Sequence, residues 1–297
     1  MKLSRVVLVG ALFVASTAFA DSKSWAALKG KLPTGTVIVG GADAAAIRAT
    51  PSFPKVLDFL RSEDKDVSAM LDLVKATCGM ELPAMLGDVA FAVDVKEKGV
   101  VVLGLSGTDQ TKATACFTKV LAKVEPQAKI TAKVTGKITE YSVGPSDKLY
   151  AAWIAPDVVA ISIEENSHAP LDAMMAGAAA SGDLATYLGK ANTTAAAWAA
   201  FNVNDDGLKG GWGTLTLGKT LTFALRLTGM TPKDGEKARK EAKDMQKKGL
   251  ERSKKLPELK KVFQAMKVGG AGSEVTLDAA MAESSIPALL PAFDKVF

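Results

Sequence analysis

The chain has 297 residues, of which 48% are hydrophobic and 23% are charged, so it is long enough for one large domain or two small ones and too apolar to be disordered. Its formal net charge of +5 includes Lys2 and Arg5, and setting these two aside leaves +3. A charge this small does not favour a nucleic-acid-binding protein.

The first twenty residues have the pattern of a secretory signal peptide. Lys2 and Arg5 precede an apolar run over 6–18, and Ala18 and Ala20 supply the small residues that signal peptidase requires, so we expect cleavage after Ala20. Asp21 stands where an acylated lipoprotein needs cysteine. The apolar run is short for a membrane span, and no later stretch reaches about 18 continuous apolar residues. We therefore expect a periplasmic or extracellular protein that does not span a membrane once cleaved, the alternative being an uncleaved N-terminal anchor.

The chain has two cysteines, Cys78 and Cys116. In an oxidising compartment an isolated pair predicts a disulfide, whereas the alternative is two buried free thiols. Because the CxxC motif is absent, a thiol oxidoreductase is disfavoured.

Periodicity and breaker residues predict alternating helices and strands in the first half of the chain. In chain order these are a strand at 36–39, helices at 51–60 and 67–78, a hairpin of strands 88–95 and 100–105, a helix from Thr108-Asp109 to about Val124, strands at 130–143 and 149–163, and helices at 170–179 and 183–191.

The second half repeats part of this order. We predict a strand at 194–203, a hairpin of strands 212–217 and 221–227, a long helix that begins at Thr231-Pro232, a helix at 257–266, a strand at 274–282 and a final helix at 287–297.

A hairpin followed by a capped helix occurs at 91–124 and again at 212–249. We interpret this as a divergent duplication that gives two α+β units, 21–190 and 191–297, with mainly antiparallel sheets and helices packed on one face. The alternative is that this order of elements is simply common.

The Val37 strand, Cys78-Gly79, Cys116 and the strand containing Ala151-Ala152-Trp153 together resemble uncharacterised exported proteins of myxobacterial type. The resemblance implies a location in the cell envelope and no particular chemistry.

The residues of the usual catalytic and metal sites are scarce. His168, the single histidine, lies in a polar turn without a GxSxG nucleophile motif and is predicted to be solvated. Asn202 to Gly207 resembles the start of a calcium loop, but Gly213 occupies the position of the bidentate glutamate, so a tight turn is favoured. The Gly40-Gly41 break lacks the spacing of a phosphate-binding loop. We predict no catalytic, cofactor-binding or metal-binding residues.

The segment 231–261 holds twelve basic and six acidic residues. Its helix is expected to present a positive face for an anionic partner such as lipid headgroups, polysaccharide or an acidic protein. That face consists of Lys237, Lys240, Lys243, Lys247 and Lys248. Ala238, Ala242 and Met245 are predicted to pack inward.

The alternative is an ordinary solvated helix, in which Glu236 pairs with Lys240 and Asp244 pairs with Lys248.

Three functions remain open on the sequence alone. The first is an exported envelope protein that binds or scaffolds without catalysis. The second is a carrier of an apolar ligand such as lipid, because duplicated sheets and apolar helices can enclose a cavity. The third is a hydrolase whose site the sequence does not show.

Overall fold

A computed structural model describes residues 21–124, 130–143 and 147–290. The predicted signal peptide lies outside these ranges, as does most of the predicted final helix.

The described elements alternate between helices and strands along the chain. In the first half they are α1 Lys23–Leu28, β1 Ile38–Ala42, α2 Ala44–Arg48, α3 Phe53–Glu63, α4 Lys65–Cys78, α5 Leu82–Met85, β2 Leu86–Val93, β3 Gly99–Leu105, α6 Gln110–Val124, β4 Ile130–Thr135, β5 Ile138–Val143, β6 Asp147–Ala155, β7 Val158–Ser162 and α7 Ala169–Met175. In the second half they are α8 Gly182–Lys190, β8 Ala197–Phe201, β9 Leu208–Thr216, β10 Thr220–Gly229, α9 Pro232–Arg252, α10 Pro257–Ala265, β11 Lys267–Gly269 and β12 Glu274–Ala282.

The described chain divides into two compact units. Residues 21–45 and 61–180 form the N-terminal unit, and residues 46–60 and 181–290 form the C-terminal unit. The segment 46–60 therefore groups with residues 181–290, although it lies well before the predicted boundary at 190/191. One link to that segment is the Glu283 carboxylate, which accepts the Ser52 backbone N–H at 2.7 Å.

Each unit is built on an antiparallel sheet, so the fold is α+β as predicted. The N-terminal unit has the strand order β1-β2-β3-β7-β6-β5-β4, and the C-terminal unit has the order β8-β9-β10-β12-β11. In both units the third strand in this order pairs with the last strand of the unit along the chain: β3 pairs with β7, and β10 pairs with β12. This shared order is what a duplication would produce, and the duplication itself stays a prediction.

The prediction that helices cover one face of the sheets is wrong for the N-terminal unit. On one face, Phe117 of α6 packs edge-on against Tyr141, with ring centroids 5.0 Å apart. On the opposite face, the backbone N–H of Ser24 in α1 donates to the buried carboxylate of Asp88 at 2.7 Å. Both faces are covered because both sides of β3 and β7 carry apolar residues, as in strands buried on two sides.

The C-terminal unit also has helices on both faces. Leu259 and Phe263 of α10 share a core cluster with Met281 on one face of β12. Tyr187 of α8 lies over Gly210, which belongs to the other face of the sheet, and a Cβ at that glycine would come within 2.6 Å of the tyrosine ring.

Two predicted single strands are hairpins in the structure. The segment 130–143 is divided into β4 and β5 because Gly136 adopts a left-handed conformation with φ of +62°. The segment 149–163 is divided into β6 and β7 at Pro156-Asp157, since proline lacks the N–H that a continuous ladder needs.

The predicted disulfide is confirmed. Cys78, at the end of α4, is bonded to Cys116 in the middle of α6, with Cα atoms 5.4 Å apart. Val74 and Val120 pack beside the bond in one buried cluster. Gly79 follows the helix in the left-handed conformation typical of a C-terminal cap.

Candidate functional site

The basic helix of the sequence is α9, and its start is fixed by its first residues. The Thr231 hydroxyl accepts the Asp234 N–H at 3.2 Å, and the Asp234 carboxylate accepts the Thr231 N–H at 3.0 Å, which completes a capping box. Pro232 occupies the first turn, where no intrahelical partner for an N–H is required.

Small residues hold α9 to the rest of the unit. Gly235, Ala242 and Gly249 recur every seventh residue and are the buried positions of the helix. A Cβ at Gly235 would lie 2.5 Å from the Gly272 carbonyl oxygen, and one at Gly249 would lie 2.3 Å from the Phe263 ring. At Gly235 and Gly249 the helix backbone therefore lies closer to its neighbours than a residue with a side chain would allow.

The prediction that Met245 packs inward is wrong. Ala242 is buried, but the Met245 side chain is 52% exposed, because the helix rotates the two glycines inward and carries residue 245 away from the contact.

Two polar side chains add directed contacts between α9 and backbone carbonyls. Arg239 Nη1 donates to the carbonyl oxygens of Gly272 and Glu274 at 2.8 and 2.5 Å. Gln246 Nε2 donates to those of Phe263 and Met266 at 2.8 and 2.7 Å, at the end of α10 where helical carbonyls lack intrahelical donors. With the glycines, these contacts fix the rotation of α9 about its axis.

The five predicted lysines all lie on the exposed part of α9, but they differ in their partners. Lys237 Nζ lies 3.4 Å from Asp206 and 3.9 Å from Glu241, so its charge is partly neutralised. Within the described ranges, no carboxylate oxygen lies within 4 Å of the ammonium groups of Lys240, Lys243, Lys247 or Lys248. Among the described residues, the pairs Glu236–Lys240 and Asp244–Lys248 named for the solvated-helix alternative do not form, whereas the i,i+4 pair Lys237–Glu241 does.

We call these four lysines, Lys240, Lys243, Lys247 and Lys248, the basic surface. Lys240, Lys243 and Lys247 are separated by three and four residues, so they stand above one another on one side of the helix. Lys248 is placed about 100° further round, at 3.6 residues per turn. Exposed lysines continue beyond the helix at Lys254, Lys255 and Lys260.

The acidic residue Glu258 is already engaged by other groups. The Lys261 ammonium and the Ser285 hydroxyl each donate to its carboxylate at 2.6 Å. The hydrogen bond from Lys261, followed by that from Ser285, lowers the pKa of Glu258.

The other sequence candidates have structural explanations. At 202–207 the chain forms a tight turn, in which Asn204 and Asp206 adopt positive φ and Asp205 and Leu208 pair through their backbones. No group of three or more His, Cys, Asp or Glu side chains suited to a metal ion occurs among the described residues. The Gly40-Gly41 pair lies inside β1 and is not a loop.

His168 is exposed and paired. Its Nδ1 lies 2.5 Å from the Asp172 carboxylate at the start of α7, and its ring centroid lies 5.4 Å from that of Tyr150. Both partners of the pair are more than half exposed. The geometry is that of a solvated pair one helical turn apart.

One arrangement escaped the sequence reasoning. Arg226 on β10 donates to the Asp278 carboxylate on β12 at 2.7 Å, and its guanidinium lies 5.8 Å from the centre of the Trp212 ring on β9. Threonines occupy neighbouring positions on the same face of the sheet, namely Thr214, Thr222, Thr228 and Thr276. The alternation Thr222, Arg226, Thr228 along β10 was the available signal for a polar face.

No protein-family model matches this chain, and comparison with curated protein sequences finds no match. Among the described residues, no helix combines the length and apolar character needed to cross a bilayer.

Proposed function

We propose that this chain is an exported protein that binds or scaffolds, and that it attaches to an anionic component of the cell envelope through the basic surface of α9. The export rests on the signal-peptide pattern of residues 1–20, and the disulfide between Cys78 and Cys116 suits an oxidising compartment.

The main support for this attachment is the exposure of four lysines that lack a close carboxylate partner. Lys240, Lys243, Lys247 and Lys248 are exposed, and among the described residues no carboxylate lies within 4 Å of them. They stand on a helix whose opposite side is fixed by Gly235 and Gly249, so the positive charges are held in one arrangement before a partner arrives. Exposed Glu236, Asp244 and Glu251 lie on the same helix, but the segment 231–261 keeps an excess of six positive charges, and a local positive excess favours association with an anionic partner.

The test is a comparison of two variants with the same net charge. In one variant Lys240, Lys243, Lys247 and Lys248 are changed to Gln. In the control the exposed lysines Lys31, Lys55, Lys137 and Lys190, which lie on or next to different elements, are changed to Gln. The measured quantity is the salt concentration that elutes each protein from immobilised phosphate groups.

We expect the α9 variant to elute at clearly lower salt than the control, because adjacent charges act together on one surface while dispersed charges are screened separately. Equal elution of the two variants would contradict the proposal, since net charge alone would then explain retention.

A further inference from the structure

We propose that the anionic partner is the headgroup surface of a lipid bilayer that contains anionic lipids, and that the protein attaches to it peripherally without inserting a helix. This inference rests on the proposed function and names the partner of the same basic surface.

The shape and extent of the charge suit a broad surface. The lysines project from the outer side of a helix and not from a cleft, because the inner side is occupied by Gly235, Ala242 and Gly249. Further exposed lysines follow at Lys254 and Lys255, beyond the end of α9. A planar array of headgroups can meet charges presented by an outward-facing surface, whereas a small ligand needs a concave site.

The chemistry around the lysines disfavours a polysaccharide or a protein. Phe263 is the one aromatic residue between Thr231 and Met266, and it is buried. This segment therefore offers no exposed aromatic ring to stack against the sugar rings of a polysaccharide. A protein interface needs an apolar centre within its polar rim, yet Met245 is the one large apolar side chain of α9 that is strongly exposed. Attraction to an anionic bilayer requires neither feature, since the excess of six positive charges over 231–261 supplies it by charge alone.

The anchoring of α9 limits attachment to the surface of the bilayer. A helix that lies in a membrane interface turns an apolar face toward the acyl chains. In α9 the face opposite the lysines is in contact with Gly272 and Phe263, and Arg239 and Gln246 hold that rotation. Attachment is therefore expected to be electrostatic and reversible by salt.

The experiment is co-sedimentation of the full mature chain with vesicles of phosphatidylcholine alone or with about one third phosphatidylglycerol. Each accessible lysine near an anionic surface contributes about fivefold to partitioning. We expect the Gln variant of Lys240, Lys243, Lys247 and Lys248 to bind the anionic vesicles at least a hundredfold more weakly. We expect the control variant at Lys31, Lys55, Lys137 and Lys190 to lose less than tenfold.

Two further measurements complete the test. Binding of the unmodified chain should fall sharply between about 0.1 and 0.5 M salt, as the screening length shortens. Met245→Gln should leave binding within about twofold, because a single side chain contributes little area to a peripheral contact. If Met245→Gln weakens binding as much as the lysine variant does, attachment is by insertion and the peripheral part of the inference is wrong.

The lipid inference and the proposed function fail in different ways. Retention on immobilised phosphate that depends on the four lysines, without binding to anionic vesicles, overturns the lipid inference and leaves the anionic attachment standing. Displacement from vesicles by polygalacturonate at equal charge concentration, with tighter binding to that polymer, also overturns it. Loss of both vesicle binding and lysine-dependent retention overturns the two together.

Discussion

Helix α6 of the N-terminal unit and helix α9 of the C-terminal unit each follow a β-hairpin, yet they are held in place by different means. Helix α6 buries Cys116 and Val120 and is bonded to α4 through the disulfide. Helix α9 buries two glycines and an alanine and adds hydrogen bonds from Arg239 and Gln246 to backbone carbonyls. Close backbone approach can therefore replace side-chain burial as the means of docking a helix.

The two solutions leave different surfaces. Thirteen of the 21 residues of α9 are charged, against three of 15 in α6. A helix docked by large apolar side chains needs a wide apolar stripe, whereas contact through Gly235 and Gly249 occupies a narrow strip of α9. The remainder of its circumference is free to carry the basic surface.

The disulfide is the covalent part of the difference between α6 and α9, and its removal should destabilise the protein most. Changing Cys78 and Cys116 to Ala should lower the free energy of unfolding by about 3–4 kcal/mol, because the bond closes a loop with a sequence separation of 38 in the unfolded chain. The measurement is guanidinium-induced unfolding, followed by fluorescence of Trp25 and Trp153 in a background in which Trp198 and Trp212 are changed to Phe.

The same denaturant series with the oxidised and reduced unmodified chain provides the control. Unfolding at the same denaturant concentration in both states would show that α6 is docked by its apolar contacts alone, and that the disulfide does not distinguish it from α9.

A glycine substitution tests the close approach of α9 to the backbone at Gly272. Gly235→Ala should lower the free energy of unfolding by about 1–3 kcal/mol, since the added Cβ meets the Gly272 carbonyl, which belongs to the backbone and cannot turn aside. The matched control is Gly189→Ala in α8, where the added Cβ has no neighbour within 4 Å. That change should raise stability by up to about 1 kcal/mol through helix propensity.

Opposite signs for the two alanine substitutions would establish that Gly235 is a packing residue. A gain in stability at both positions would mean that α9 is not docked through its glycines, and the contrast with α6 would have to be explained differently.

The sequence was sufficient for features that depend on local chemistry. Thr231-Pro232 marked the start of α9, and two cysteines in a chain with an export signal left one intramolecular pairing. The same local reasoning failed at Met245, because the apolar periodicity it relied on is not what docks this helix. Glycines at 235 and 249 lower helix propensity and so give no positive signal until their neighbours are known.

Features that depend on strand register could not be predicted. Arg226 and Asp278 are 52 residues apart, and their contact requires that β10 and β12 be neighbours in one particular alignment. The segment 46–60 belongs to the C-terminal unit for a similar reason, since its link through Ser52 and Glu283 spans 231 residues. Patterns of hydrophobicity identify the elements but not their partners.

The N-terminal caps of α6 and α9 are alike, and their loss should change stability least. The Asp109 carboxylate accepts the Lys112 N–H at 2.9 Å at the start of α6, as the Thr231 hydroxyl does for Asp234 in α9. Asp109→Ala and Thr231→Ala should each lower the free energy of unfolding by about 1 kcal/mol, because each leaves one helix N–H without its acceptor.

Near-equal losses in urea-induced unfolding, with Asp109→Asn and Thr231→Ser close to the unmodified chain, would show that the two helices differ in docking and not in how they begin. A loss confined to Thr231→Ala would instead show that the disulfide of α6 compensates for its missing cap, because a helix tied at Cys116 has less freedom to fray from its first turn.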